Sequence, residues 1–285
     1  MIGYVTFGVV TAGGLLVLDR FANEVVRAVP GPPPRSVPDL GVDHEDFSIR
    51  SGSHDLASWL LRPDHPTADS PLVLLAHGWG ASYGTVLDLA EPLVRRGHEV
   101  LLFDVRGHGR NEAAPFVTVR HFRDDVMAVA RYAAERFPGR RLVLVGHSLG
   151  GAAAVLAAAE GAPVHGLVLI ATPSDVMRIT SEYLTDRGMP GPLLVRVLRP
   201  FWWRRIGGTF RPHMPARRIS ELNLPILIIQ PENDRRVARD HAERLASAAG
   251  VPYHLVPNHE HTDVLAAPMT TRLIEDFVAG LPFEA

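Results

Sequence analysis

The feature that most constrains the fold of this chain is a regular alternation of short apolar runs with longer helical stretches. Segments 47–50 and 56–61 are typical of an opening pair of strands, and six apolar runs follow them. These runs are PLVLLAHG, EVLLFDVRGHG, RLVLVGHS, GLVLIAT, PILIIQPEND and YHLVPNHEH, and the helical stretches are 86–96, 119–137, 149–160, 238–249 and 268–279. Runs this apolar suit strands that are buried on both faces of a sheet. The pattern predicts an α/β fold, a mostly parallel central sheet flanked by helices, with ligands beyond the carboxyl ends of its strands.

The composition excludes several kinds of chemistry. The 285 residues contain no cysteine, and all 29 basic residues are arginine. Without cysteine there are no disulfides, thiolate metal sites or cysteine nucleophiles, and without lysine there are no Schiff bases, Walker A lysine or serine–lysine dyads. A net charge of −2 argues against nucleic acid as a partner.

The N-terminal segment, residues 1–18, carries no charged side chain. As a helix it would be about 27 Å long, slightly shorter than the apolar core of a bilayer, and no basic region precedes it, as it would in a secretory signal. A helix packed on the protein's own surface and association with a membrane both stay open, so the expected localisation is cytoplasmic or membrane-associated. The stretch PGPPPRSVP, residues 30–38, is typical of a semi-rigid spacer. We therefore expect residues 1–38 to form an appendage to a domain spanning residues 39–285.

The motif Gly146-His147-Ser148-Leu149-Gly150 carries the strongest chemical signal. It lies between the apolar run LVLV and an alanine-rich helical stretch, so a strand precedes it and a helix follows. A serine hydroxyl becomes a useful nucleophile when a tight turn holds it beside a base, and glycines on both sides permit such a turn. The start of the helix also points free N–H groups at the place where negative charge develops. This context predicts Ser148 as a nucleophile.

A second glycine-bracketed turn, His77-Gly78-Trp79-Gly80, directly follows the run LVLLA. Acyl transfer requires two N–H donors for the oxyanion. The spacing favours the main-chain N–H groups of Trp79 (or Gly80, if the loop is shifted by one residue) and Leu149 for this role. The indole of Trp79 is expected to form a wall of the pocket.

The general base is expected after the last strand, in the segment Asn258-His259-Glu260-His261-Thr262-Asp263. His261 is preferred to His259. The turn histidines His77, His108 and His147 are more typical of supporting positions. The same segment could be interpreted as a metal site, but no further ligand-rich segment accompanies it, so no metal is predicted.

The carboxylate that orients the base should come from the loop after the preceding strand. Asp234, at the end of ILIIQPEND, has this position. Asp175 and Glu232 are the alternatives. Asp104 ends an earlier strand, and we expect it to hold its own loop.

Residues 173–220 interrupt the alternation and form an insertion between two strands. They contain nine arginines against three acidic residues, together with Phe201-Trp202-Trp203. A cap of this kind could supply apolar walls above the serine, with Trp202, Trp203 and His147 as candidate pocket residues. The aromatic and arginine side chains suit a lipid boundary or an anionic substrate, or simply a solvated surface.

The motifs HGWG, DVRGHG and GHSLGG, followed by ENDRRV and HEHTD, resemble those of the α/β-hydrolase superfamily in their usual order, from about residue 45 to the C-terminus. The sequence is most similar to esterase, lipase and serine-aminopeptidase-like members with a small helical cap. The resemblance implies the α/β-hydrolase fold with a cap insertion at about 173–220. It also implies a triad of Ser148, Asp234 and His261, with Trp79 and Leu149 as oxyanion donors.

Two departures from the family pattern are visible. Asn111 replaces a common serine after the RGHG turn, and Gln230-Pro231 replaces the usual histidine–glycine before the acid. Neither affects the expected catalytic groups, so they bear on subfamily and substrate.

The expected activity is hydrolysis of a small-molecule carboxylic ester through an acyl-serine, without metal or organic cofactor. Hydrolysis of carbon–carbon bonds, peptide hydrolysis and perhydrolysis use the same triad and remain open. A non-catalytic binding protein on a hydrolase scaffold is the alternative from another class.

Overall fold

The computed structural model describes residues 2–28, 33, 35–67, 69–208 and 210–281, with side chains from residue 13 onward. Eight strands of this part form one sheet in the order β1-β2-β4-β3-β5-β6-β7-β8. Strand β2 pairs antiparallel with β1 and with β4, and all other neighbouring strands of the sheet pair parallel. The strands are β1 Asp43–Ser51, β2 His54–Arg62, β3 Leu72–Ala76, β4 Val100–Phe103, β5 Leu142–His147, β6 Gly166–Ile170, β7 Ile226–Pro231 and β8 Tyr253–Val256.

The helices alternate with the strands, which confirms the predicted α/β-hydrolase fold. They are α1 Ile2–Val25, α2 Tyr83–Arg95, α3 Val119–Arg136, α4 Leu149–Ala159, α5 Val176–Asp186, α6 Gly191–Arg205, α7 Pro215–Arg218, α8 Arg239–Ala249 and α9 Pro268–Ala279. Each helical stretch predicted between two strands is present, with bounds that differ by a few residues. Helices α5 to α7 form the predicted insertion between β6 and β7.

The apolar core has two layers, one on each face of the sheet. In β3, Leu72 and Leu74 pack with α3, α4 and α8, whereas Val73 and Leu75 pack with α2 and α9. This alternation follows from the two-residue period of a strand. The buried, alanine-rich helix α4 can approach the sheet closely because its side chains are small. The rigid sheet therefore holds the loops at its carboxyl edge, where the candidate site lies.

The N-terminal helix α1 belongs to the segment that the sequence suggested as an appendage. It packs against α6, and a shared apolar cluster contains Ala22, Trp202 and Phe210. The predicted spacer, residues 30–38, lies partly outside the described residues. Arg35, which is described, pairs with Asp88 and Glu91 of α2.

The expected membrane association through residues 1–18 is corrected by the structure. In the part of the chain that is described, no helix combines the length and apolar character needed to cross a membrane. Helix α1 continues past residue 18 through Asp19 and Arg20, and its later apolar residues are used in packing against α6.

Candidate active site

The turn between β5 and α4 places Ser148 in a strained conformation. Its φ of 54° and ψ of −123° lie where residues other than glycine are rare. Such strain costs on the order of 1–3 kcal/mol and persists only where the surroundings impose it. Here Ser148 N–H donates to the carbonyl of Ile170 at 2.9 Å, and its own carbonyl accepts from Gly151 at 3.0 Å. The strained turn is thus fixed from both sides.

The glycines of the two motifs are required by close packing. A Cβ on Gly146 would lie 2.4 Å from the Cα of Gly151, and one on Gly150 would lie 2.4 Å from the carbonyl oxygen of Ala76. A Cβ on Gly78 would lie 2.9 Å from the Cβ of Ser148. The HGWG loop and the serine turn therefore contact each other through backbone that has no room for side chains.

A histidine–carboxylate pair follows β7 and β8. His261 Nδ1 donates to Asp234 Oδ2 at 2.8 Å. Asp234 Oδ1 accepts from the main-chain N–H groups of Arg236 and Val237, both at 2.8 Å, and its side chain is fully buried. With its proton on Nδ1, the imidazole leaves Nε2 as the unprotonated nitrogen. Ser148 and His261 line the same cavity, so the structure brings the three predicted residues to one site.

The alternative residues lie elsewhere or perform other tasks. Asp175 caps α5 by accepting from the N–H groups of Met177 and Arg178. Glu232 accepts from the N–H of Asn258 at 3.0 Å, and the Nδ1 of His259 bonds to the carbonyl of Pro257. No group of three or more potential ligands is arranged to hold a metal ion among the described residues.

His147 packs against His261 and does not line the cavity, in contrast to its predicted place in the pocket. Its Nε2 donates to the main-chain carbonyl of His261 at 2.8 Å, and the two ring centroids are 4.8 Å apart. Burial lowers the pKa of His147 to about 3, so the ring is neutral near pH 7. The side chain faces inward because β5 ends here and its last residue is buried under the next turn. The sequence offers one indication of this contact. His147 and His261 both lie at or after the carboxyl ends of strands, and those ends share one edge of the sheet.

The predicted oxyanion donors lie at the wall of the same cavity. Trp79 and Leu149 both line it together with Ser148. Leu149 is the first residue of α4, so its N–H has no acceptor within the helix. The Trp79 ring packs against His108 and Phe122, with centroids 5.4 and 6.3 Å away. This packing fixes the loop that presents the N–H group of Trp79.

His77 holds this loop from inside the protein. Its Nδ1 donates to the carbonyl of Gly78 at 2.8 Å, and its Nε2 accepts from the N–H of Val105 at 3.0 Å. Burial lowers the pKa of His77 to about 3. A neutral imidazole is required for this pair of bonds, because one nitrogen must donate and the other must accept.

Asp104 holds its own loop, as the sequence suggested. It is fully buried and accepts from the N–H groups of Tyr83 and Arg110 at 2.7 and 2.8 Å. Burial raises the pKa of Asp104 to about 6. Asn111 also has a structural task, because its side chain accepts from the N–H of Ala57 and donates to the carbonyl of Asp104. A serine, the residue common in the family, is too short to span both contacts.

A cavity of about 650 Å³ lies over the serine. Its walls come from α5 and α6, the loop before α3, the segment that ends α1 and the two motif loops. The apolar wall residues include Val25, Val26, Trp79, Val117, Val119, Leu149, Val176, Met177, Ile179, Trp202, Ile206, Phe210 and Met214. The charged ones, in the described part of the chain, are Arg27, Asp186, Arg187 and Arg236. The site is therefore an apolar chamber with a mainly positive margin.

The two tryptophans of the insertion have different environments. Trp202 lines the cavity and is 3% exposed, whereas Trp203 is 53% exposed and lies outside it. Adjacent residues of a helix point about 100° apart. The sequence could not tell which of the two faces inward, because that depends on the position of α1.

A strained serine between a parallel strand and a helix, with a histidine and an aspartate supplied by later strand ends, defines the α/β-hydrolase class. This chain has the α/β-hydrolase fold. The model of a family described as serine aminopeptidase, S33, matches residues 68–204.

Comparisons with individual proteins agree with this fold. The chain is 25% identical to the uncharacterized protein YfhR of Escherichia coli O157:H7, over 78% of this chain and 74% of that protein. It is 38% identical to the monoglyceride lipase of Homo sapiens, over 35% of this chain and 34% of the lipase. The solved structure of the Pyrococcus furiosus esterase Pf2001 is similar with a TM-score of 0.68 and 16% identity, over 89% of this chain and 99% of that chain. At that identity the structural likeness shows the fold.

Proposed function

We propose that this protein is a carboxylic-ester hydrolase that works through an acyl-serine intermediate. The observation that carries the proposal is the strained Ser148 facing an apolar cavity that it shares with His261, whose Nδ1 is bonded to the buried Asp234. Two similar proteins, a monoglyceride lipase and an esterase, are named for activity on esters, which also favours this class of substrate.

In the first step, Ser148 Oγ attacks the ester carbonyl carbon while His261 Nε2 takes the hydroxyl proton. The negative oxygen of the tetrahedral intermediate accepts from the N–H groups of Trp79 and Leu149. Asp234 stabilises the imidazolium through the bond at Nδ1. When the intermediate collapses, the carbon–oxygen bond of the leaving alcohol breaks, and the alcohol takes the proton from Nε2.

In the second step, His261 removes a proton from water, and the resulting hydroxide attacks the acyl-serine. Collapse of the second intermediate breaks the bond to Ser148 Oγ, which regains its proton, and a carboxylic acid leaves. Each oxyanion donor is expected to contribute about 10²–10³ in rate. The protein's own groups supply every proton transfer in this sequence.

The charges around the cavity favour an ester over a peptide with a free N-terminus. Removal of an N-terminal residue requires a group that binds an ammonium ion, such as a carboxylate. Among the described wall residues, Asp186 is the one carboxylate outside the proposed triad, and it is flanked by Arg187. Arg27 and Arg236 add further positive charge at the cavity, which opposes ammonium binding.

The test is hydrolysis of p-nitrophenyl esters from acetyl to palmitoyl by the wild type and by Ser148→Ala. We expect activity that disappears with the serine, and labelling of the wild type but not of Ser148→Ala by a fluorophosphonate probe. Labelling without ester hydrolysis would move the assignment to carbon–carbon or amide substrates, for which vinylogous diketones and aminoacyl anilides are the probes. Folded protein that neither reacts with the probe nor hydrolyses an ester would support the binding-protein alternative.

A further inference from the structure

The end of α1 is part of the cavity wall. Val25, the last residue of α1, and Val26 line the cavity, as do Trp202 of α6 and Ile206, which directly follows α6. The matched family model begins at residue 68, so this wall comes from a segment that precedes the matched region.

Directed hydrogen bonds hold α1 in this place. Trp202 Nε1 donates to the carbonyl of Ala22 at 2.9 Å. Arg205, whose side chain is 5% exposed, donates to the side chain of Asn23 at 2.6 Å and pairs with Asp19 at 2.9 Å. A buried guanidinium with these partners fixes the rotation of α1 about its axis, because each partner must face α6.

The segment after α1 is tied to the protein core as well. Val26 accepts a hydrogen bond from the N–H of Val117 at 2.8 Å, in the loop before α3. Ala28, two residues later, is 2% exposed and packs in the apolar layer that also contains residues of α3 and α4. The wall segment formed by the end of α1 and the residues after it is therefore held both by α6 of the insertion and by the protein core.

We propose that Val25 and Val26 are specificity-determining residues whose size sets the length of the acyl chain that the cavity accepts. The proposal rests on the ester hydrolysis proposed above. An acyl chain in an apolar chamber gains roughly fourfold in binding for each buried methylene. A larger side chain in the wall should therefore lower kcat/KM for long acyl chains, and lower it further for each methylene that no longer fits. Short acyl chains should be unaffected.

The experiment compares Val26→Trp with Val26→Ala, using p-nitrophenyl esters of increasing chain length. Val17→Trp is the matched control, because Val17 lies on α1, which ends directly before Val26, and is 65% exposed. We expect Val26→Trp to lower kcat/KM for decanoyl relative to acetyl ester by at least about tenfold. Val26→Ala should move the preferred chain length upward, and Val17→Trp should leave the profile unchanged.

The outcomes separate this proposal from the proposed function. No ester hydrolysis by the wild type overturns the function. An active wild type with the same chain-length profile in all three variants overturns the role of the wall. Equal losses on acetyl and decanoyl esters in Val26→Trp, with a normal melting temperature, also overturn it, and Val26→Ala provides the test if Val26→Trp does not fold.

Discussion

Acid should destabilise this protein through histidines that are buried in the neutral form. The pKa values of His77 and His147 are both lowered to about 3, mainly by burial. In the unfolded chain they would take up protons near pH 6.5. Between pH 6.5 and 3 the unfolded state therefore binds more protons than the folded state. Each of the two histidines then lowers the free energy of unfolding by about 1.4 kcal/mol for every pH unit of acidification.

Asp104 acts in the opposite direction. Burial raises its pKa to about 6, so below pH 6 the folded state holds a proton that the unfolded state releases. Between pH 6 and 3.8 this stabilises the folded state by about 1.4 kcal/mol per pH unit. At pH 5 the two histidines should cost about 4 kcal/mol relative to pH 8, and Asp104 should return about 1.4 kcal/mol, so these three groups together contribute a loss of about 3 kcal/mol. His121, whose pKa is lowered to about 4 mainly by burial, adds to this loss.

Urea unfolding at pH 8 and pH 5 tests these contributions, with His147→Gln and Asp104→Asn beside the wild type. Glutamine keeps an N–H donor near the carbonyl of His261 but does not titrate, so His147→Gln should reduce the loss between the two pH values by about 2 kcal/mol. Asp104→Asn should increase it by about 1.4 kcal/mol. If the wild type is equally stable at both pH values, or if His147→Gln loses as much as the wild type, the argument from buried neutral histidines is refuted.

Three further substitutions test the site and its supports. His261→Ala should lower kcat on p-nitrophenyl esters by at least about 10³-fold, whereas His259→Ala should keep the kcat of the wild type. Equal losses in the two variants would contradict the choice of His261 as the base. Gly78→Ala should lower kcat by about 10²–10³-fold, because the new Cβ meets Ser148 and displaces the loop of the proposed oxyanion donor. The same overpacking should lower the free energy of unfolding by about 1–3 kcal/mol in urea. Full activity would argue against contact between the two loops. Asn111→Ser should lower the free energy of unfolding by about 1–2 kcal/mol in urea with kcat unchanged, since a buried contact is lost; unaltered stability would refute its bridging role.

The sheet and the serine turn could be predicted because their determinants are local. Six short apolar runs that alternate with helical stretches specify parallel strands, and the glycines around Ser148 specify a turn without room for side chains. The carboxyl ends of parallel strands meet at one edge, so chain order alone was enough to predict that Asp234 and His261 would lie near the serine.

The role of α1 could not be predicted in the same way. The contact between Ala22 and Trp202 joins residues 180 positions apart, and no periodicity in either segment indicates the other. An apolar stretch such as residues 1–18 has the same composition whether it packs on a protein or enters a membrane. The supporting position of His147 was missed for a related reason, because its partner is the backbone of His261 and a backbone carbonyl has no signature in the sequence.

The cavity is built from two kinds of wall, and this division bears on how such a site can change. Ser148, Leu149 and Trp79 sit on backbone that is packed to contact at Gly78 and Gly150, so substitutions there disturb the reacting groups. We expect the walls from α1, α5 and α6, which line the same cavity, to contact the substrate away from the reacting atoms. Binding energy from remote walls affects which substrate is used, whereas the rate of the chemical step depends on contacts made in the transition state. Variation in α1 and the insertion should therefore alter the substrate while the chemistry at the serine remains the same.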